Sequence, residues 1–112
     1  MAASGRLTTR VEFQRAAAKG QKAPMPGVVL QALPRDDEKP ARLGFTVTKK
    51  IGNAVIRNRT RRRLKEAARL VLAEHPVAGV DLVLIGRAGT ADRVFTALQD
   101  DVRRALVKVG LA

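Results

Sequence analysis

The stretch Arg42-Leu43-Gly44-Phe45-Thr46-Val47-Thr48-Lys49-Lys50-Ile51-Gly52-Asn53-Ala54-Val55-Ile56-Arg57-Asn58-Arg59-Thr60-Arg61-Arg62-Arg63-Leu64-Lys65-Glu66 decides the fold. Its first seven residues alternate in part between apolar and polar, which predicts a strand with one buried face. Asn53 is a good N-cap for a long helix that runs to about residue 74 and is ended by Pro76. Within it Ile56, Thr60, Leu64, Ala67 and Val71 recur at helical spacing and form a stripe that can pack on a sheet. A short apolar strand follows at 81–86. A long helix separates it from the 42–48 strand, which allows a crossover connection and a parallel pairing.

Working outward, residues 6–20 read as a first helix. Thr9 and Glu12 have capping-box spacing, Val11, Phe13, Ala16 and Ala17 supply an apolar side, and Gly20 suits the C′ stop. Residues 21–26, with two prolines, read as a loop. Residues 28–33 read as a mostly buried strand, antiparallel to the 42–48 strand across a solvated turn at 34–40. Thr90 or Asp92 opens a last helix, in which Phe95, Leu98, Val102, Ala105 and Val109 share a face. The order α-β-β-α-β-α predicts an α+β sandwich, and 112 residues fit one domain spanning 1–112.

Composition narrows the function. Hydrophobic residues make up 46% of the chain, enough for a core. No cysteine is present, which excludes disulfides, thiol nucleophiles and thiolate metal sites. No apolar run approaches the roughly 20 residues of a membrane span, and the start, Met1 to Arg6, lacks an apolar signal core; a cytoplasmic protein is the default. Phe13, Phe45 and Phe95 are the only aromatic residues, too few for base stacking to dominate an affinity.

Charge is the outlier. The net charge is +12, and nine basic residues against the single acid Glu66 place +8 of it between Lys49 and Arg69. Asn58, Arg61, Arg62, Lys65 and Arg69 stack at i+3 and i+4 on a side of the helix away from the apolar stripe. Like charges at those spacings repel by roughly 0.2–0.5 kcal/mol per pair. Solvated helix faces usually mix signs; this one does not, and bound phosphates would reverse the sign of the repulsion. Arginine outnumbers lysine, which favours bidentate phosphate contacts. The turn from Thr48 to Asn53, with Lys49, Lys50 and a helix start, could hold a phosphate, and equally reads as an ordinary capped turn.

A protein-based active site is not visible. His75, beside Pro76, fits a helix C-terminal dipole contact. Asp36, Asp37 and Glu38 lie in the solvated turn, and Asp100 and Asp101 are adjacent on a helix and point apart. Any chemistry linked to this chain is supplied by a partner.

The stretch quoted above, Arg57-Asn58-Arg59 included, closely resembles the signature of the protein subunit of bacterial ribonuclease P, with weaker similarity over most of the chain. The resemblance implies a small α-β sandwich with a left-handed crossover through the long helix, against the usual hand. It also implies a holoenzyme that removes the 5′ leader of precursor tRNA, with Mg²⁺ and the active site carried by a catalytic RNA subunit. Lys49, Lys50, Asn53, Arg57, Asn58, Arg59, Arg61, Arg62, Lys65 and Arg69 would face RNA. Phe13, Val29, Arg42 and Thr46 would line a cleft for the single-stranded leader, although Phe13 can also be read as a core ring. Ala17 and Gln31 stand where aromatic residues are frequent in the family. Thr60 and Arg63 stand where apolar residues are frequent, and Arg63 can snorkel.

Three rival readings share the charge. A basic ribosomal or RNA-chaperone protein leaves the 25-residue signature unexplained. A DNA-binding protein would show a helix-turn-helix, zinc ligands or a zipper repeat. A membrane-surface helix would show a large exposed apolar side.

Overall fold

In the computed structural model, which describes residues 5–112, a two-residue strand β1 (Gly5–Arg6) leads to helix α1 (Arg10–Lys19). Strands β2 (Gln21–Met25), β3 (Val28–Pro34) and β4 (Arg42–Thr46) follow. A 3₁₀ turn (Lys49–Ile51), helix α2 (Ala54–Glu74), strand β5 (Val80–Gly86) and helix α3 (Phe95–Lys108) complete the chain. The expected α-β-β-α-β-α order is embedded in this α+β fold, with β1 and β2 added at the sheet edges. The reading of the first four residues as free of a signal core lies outside the described residues.

The strands form one sheet in the order β1-β4-β5-β3-β2. The parallel β4–β5 pair joined through α2 is as expected, but the antiparallel pair of β3 with β4 does not form. β5 lies between them, parallel to β4 and antiparallel to β3. The cause is its composition: Val80, Leu82, Val83 and Leu84 are all buried, and a strand apolar on both faces belongs at a sheet centre.

Three boundaries also shift. The first helix starts at Arg10 because Thr9 caps it, leaving Gly5 and Arg6 to extend along β4; Gly20 ends it in an extended conformation. The 21–26 segment is a strand, since Pro24 is tolerated on an edge where no further ladder bond is needed. The last helix starts at Phe95, because the Thr90 hydroxyl is used elsewhere: it donates to the Gly27 carbonyl and accepts from the Arg87 N–H. Asp92 stays exposed in the turn before it.

Strand alternation separates two layers. Val28, Leu30, Ala32, Leu43, Leu82 and Leu84 face α2 and α3 and pack with Leu64, Ala67, Val71, Leu98 and Val102. On the other face α1 covers Val83 with Leu7 and Ala16, and Phe13, Leu33 and Ile85 are half-buried beside them. α2 approaches closely at the end of β5: a Cβ on Gly86 would lie 2.7 Å from Thr60 Cγ2. Thr60 is fully buried, its hydroxyl donating to the Ile56 carbonyl. The turn N-terminal to Thr60 lies past the last residue of β5, so Val55 and Ile56 are exposed and the apolar stripe begins at Thr60, not at Ile56.

Candidate nucleic-acid interface

The Asn53 side chain caps α2 as expected, its Oδ1 accepting from the Ile56 N–H at 3.0 Å. Before it, Gly52 adopts φ 152° and ψ −163°, a region close to glycine-only, and a Cβ there would lie 3.1 Å from three Ile56 side-chain atoms. This sharp turn sets exposed Lys49 and Lys50 at the N-terminal end of the helix.

Along α2, Asn58, Arg61, Arg62, Lys65, Glu66 and Arg69 line one open groove. Helical spacing thus brings together the five residues it was expected to, and adds Glu66. That acid pairs with Arg69 at 2.5 Å, so Arg69 enters the groove half neutralised. The mutual hydrogen bonds lower the Glu66 carboxyl pKa and raise that of Arg69. Among the described residues, Lys49, Lys50, Arg57, Arg61, Arg62 and Lys65 have no carboxylate partner. Lys65 Nζ sits 6.0 Å from the Phe45 ring centre, an arrangement that steadies its stem.

The other side of α2 is used structurally. Arg59 Nε donates to the Ala91 carbonyl at 2.9 Å, and Arg63 donates to the Arg93 carbonyl while lying over the Phe95 ring. Arg63 therefore does not snorkel to water as expected; its guanidinium is held within the protein by the Arg93 carbonyl and the Phe95 ring. Arg59 points away from the groove, toward the 87–94 loop. The buried Nε atoms of Arg57 and Arg63 have no protein acceptor. His75 is the exposed C-cap residue of α2, its backbone N–H bonded to the Val71 carbonyl.

Phe13, Val29, Arg42 and Thr46 lie on the α1 side of the sheet. Thr46, Ile85, Val29 and Pro24 are register partners across four strands and make one transverse row. The next row is Gly44, Val83, Gln31 and Lys22. The Phe13 ring lies on Gly44: a Cβ there would meet Phe13 Cε1 at 2.5 Å. Phe13 is thus partly a packing ring and remains half-buried. Ile85 belongs to this surface and was missed; strand alternation with Val83 would have found it once β5 was placed centrally. Ala17 is exposed on α1, and Gln31 is buried in the sheet.

Arg42 stands apart from the other three. Its Nε and Nη2 donate to Asp81 at 2.9 and 2.7 Å, and its Nη1 to Glu12 at 2.5 Å. Asp81 also accepts from Arg35, which holds Asp37 as well, so five charged side chains form one chain of contacts. Glu12 is doubly engaged: its other oxygen accepts from the Thr8 and Thr9 N–H groups, and these bonds draw its carboxyl pKa below the usual 4.5. Burial alone would raise the Asp81 pKa, but hydrogen bonds from Arg42 and Arg35 outweigh it and hold the group below 3.8. A carboxyl depressed in the folded state is protonated first in the unfolded one, so its stabilisation is present above the unfolded value and lost in acid. The stability advantage of the natural protein over Asp81→Asn should therefore be full at neutral pH and shrink as pH falls below about 3.8, measured by denaturant titration at a series of pH values.

The carboxylates with the deepest burial are committed to arginines, and among the described residues no three His, Asp or Glu side chains form a metal-binding group. Among those residues, too, no helix is long and apolar enough to cross a membrane.

A helical groove lined by four cations, Asn58 and the single acid Glu66, with the most deeply buried acids of the domain tied up in ion pairs, defines a polyanion-binding protein of the small α+β class. Residues 1–110 match the family model described as Ribonuclease P, and the chain belongs to that family as the protein subunit of the enzyme. The ribonuclease P protein component of Gluconacetobacter diazotrophicus is 64% identical over 106 residues, covering 95% of this chain and 91% of that protein. The one from Paramagnetospirillum magneticum is 46% identical over 109 residues, covering 94% and 82%. The solved RNase P protein of Staphylococcus aureus superposes with a TM-score of 0.81 at 27% identity, covering 97% of this chain and 98% of that one. The Thermotoga maritima RNase P protein shares the fold, with a TM-score of 0.75 at 24% identity over 88% and 92% of the two chains. The chain is accordingly an accessory subunit in tRNA 5′-end processing, and membership implies association with the RNA subunit.

Proposed function

We propose that this subunit works through two RNA surfaces. The α2 groove, with Lys49, Lys50, Asn53 and Arg57 at its N-terminal end, holds the catalytic RNA; Arg59 contributes through the loop it anchors. The cleft between α1 and the sheet, with Phe13, Val29 and Thr46, receives the single-stranded 5′ leader of precursor tRNA. The observation that carries this reading is the set of unpaired cations along α2, with a separate, partly apolar and half-buried surface beside α1 on the opposite face of the sheet.

Endonucleolytic cleavage then falls to the RNA subunit. Mg²⁺ is held mainly by the phosphates of the RNA subunit and substrate, and the basic protein surface neutralises charge around it. Such work places the protein in the cytoplasm with its tRNA precursors. A role as a ribosomal or chaperone protein is not favoured, because the family match runs through the motif and on to residue 110.

Cleavage assays test the division of labour. Purified protein with any divalent metal should leave precursor tRNA intact. With the catalytic RNA added, leader removal should proceed at lower Mg²⁺ than the RNA alone requires, because protein charge replaces part of the cation atmosphere. Cleavage by RNA-free protein would overturn the proposal.

A further inference from the structure

We propose that Arg42 is a positioning residue that pins α1 to the sheet, and that the leader backbone is kept to the Thr46–Ile85–Val29–Pro24 row at the other end of the cleft. This rests on the cleft reading above and adds a polarity to it. All three nitrogens of the Arg42 guanidinium already donate to carboxylates, and two acids share this one cation. With Arg35 and Asp37 included, the five-membered chain sums to one negative charge. A phosphate approaching Arg42 finds every guanidinium nitrogen already donating to Glu12 or Asp81, in a cluster whose net charge is negative, so this end of the cleft does not attract it. The Thr46 row carries no charge, and Thr46 is followed within four residues by Lys49 and Lys50.

The contacts also explain how Arg42 can act at a distance. Glu12 lies in the first turn of α1 and closes its capping box with Thr9, so the Arg42–Glu12 bond fixes that helix end over β4. One turn of the same helix carries Phe13, whose ring rests on Gly44, two residues along β4 from Arg42. Loosening the ion pair frees the wall that bears the ring. Phe13 then loses its placement, a loss that outweighs the relief of repulsion when Glu12 is neutralised, and no phosphate contact is given up.

Glu12→Gln separates the alternatives, because glutamine keeps the capping box while removing the charge. Holoenzyme reconstituted with the catalytic RNA is titrated with precursor tRNA and with mature tRNA across a salt series. Positioning predicts about fivefold weaker precursor binding, an unchanged salt slope and unchanged mature tRNA affinity. Arg42→Lys should do the same, since lysine keeps the charge but cannot span two carboxylates as a fork. If Arg42 grips a phosphate instead, Glu12→Gln releases it and strengthens precursor binding, and Arg42→Lys stays near the natural affinity; either result overturns the proposal. Phe13→Ala is the control for the cleft itself. Should it affect precursor and mature tRNA alike, the cleft reading falls; should it alone discriminate them while Glu12→Gln does not, only the positioning role falls.

Discussion

Replacing Arg61, Arg62 and Lys65 together by alanine should weaken binding of the catalytic RNA roughly a hundredfold near 0.15 M salt. Each phosphate contact contributes about 0.7–0.9 to the slope of log affinity against log salt, so three contribute roughly 2–3, and the curves of variant and natural protein should converge near 1 M. These three cations line the α2 groove and have no carboxylate partner among the described residues. Their removal should leave folding nearly untouched. Surface substitutions usually lie within about ±0.5 kcal/mol, and relief of i+3 and i+4 repulsion acts in the stabilising direction. A filter-binding series at four or five salt concentrations, with a thermal melt of the free protein, reads both quantities. An unchanged slope would return the groove to an ordinary solvated face.

The second large effect lies in the core. The Asp101 side chain is 1% exposed, accepts from Arg93 at 2.5 and 3.1 Å, and accepts from the Gly27 N–H at 2.9 Å. It ties α3 to the β2–β3 turn, where a Cβ on Gly27 would lie 2.6 Å from Asp101 Oδ2. Asp101→Ala strands a guanidinium and a buried N–H together, a loss in the range of about 3 kcal/mol. For a domain of this size that lowers Tm by roughly 10–15 °C. Asp101→Asn, which keeps an acceptor for Gly27, should recover part of the difference. The salt slope of RNA binding should not move at temperatures where the variant is folded. A shift of only a degree or two in the melt would mean that Arg93, 30% exposed, finds water easily enough to dispense with its partner.

How much of this was legible in the sequence depended on the range of the interaction involved. Helix α2, its Asn53 cap and its basic groove are set by contacts within four residues, and period alone exposed them. The Thr9–Glu12 capping box was equally local, and it marked the helix start at Arg10 more accurately than the longer 6–20 reading did. β5 was found as a strand, but its place between β3 and β4 was not. The apolar residues on both of its faces held that information, and the assumption that chain neighbours pair obscured it. Pro24 hid β2 in the same way, because its effect depends on whether the strand is at an edge. The roles of Arg42 and Thr90 had no sequence signal at all. Arg42 meets Glu12 and Asp81 from 30 and 39 residues away, and Thr90 meets Gly27 from 63. Polar side chains that close contacts over such spans look, in sequence, like any surface residue.

The central placement of β5 constrains the order in which this molecule can assemble. A growing chain that has reached the end of α2 contains β2 and β3, which pair with each other, and β1 and β4, which pair with each other, but lacks the strand that lies between β3 and β4. Only when residues 80–86 emerge can the two halves be stitched, and both must then dock on the same strand. Non-local pairing of this kind makes the transition state costly in loop closure and folding slow compared with a helical bundle of the same length. It also means that the strongly basic helix is synthesised before it has a sheet to lie on. The apolar stripe of that helix, Leu64, Ala67 and Val71, has its packing surface only once the sheet is closed, so the RNA-facing side becomes rigid with the insertion of the last strand.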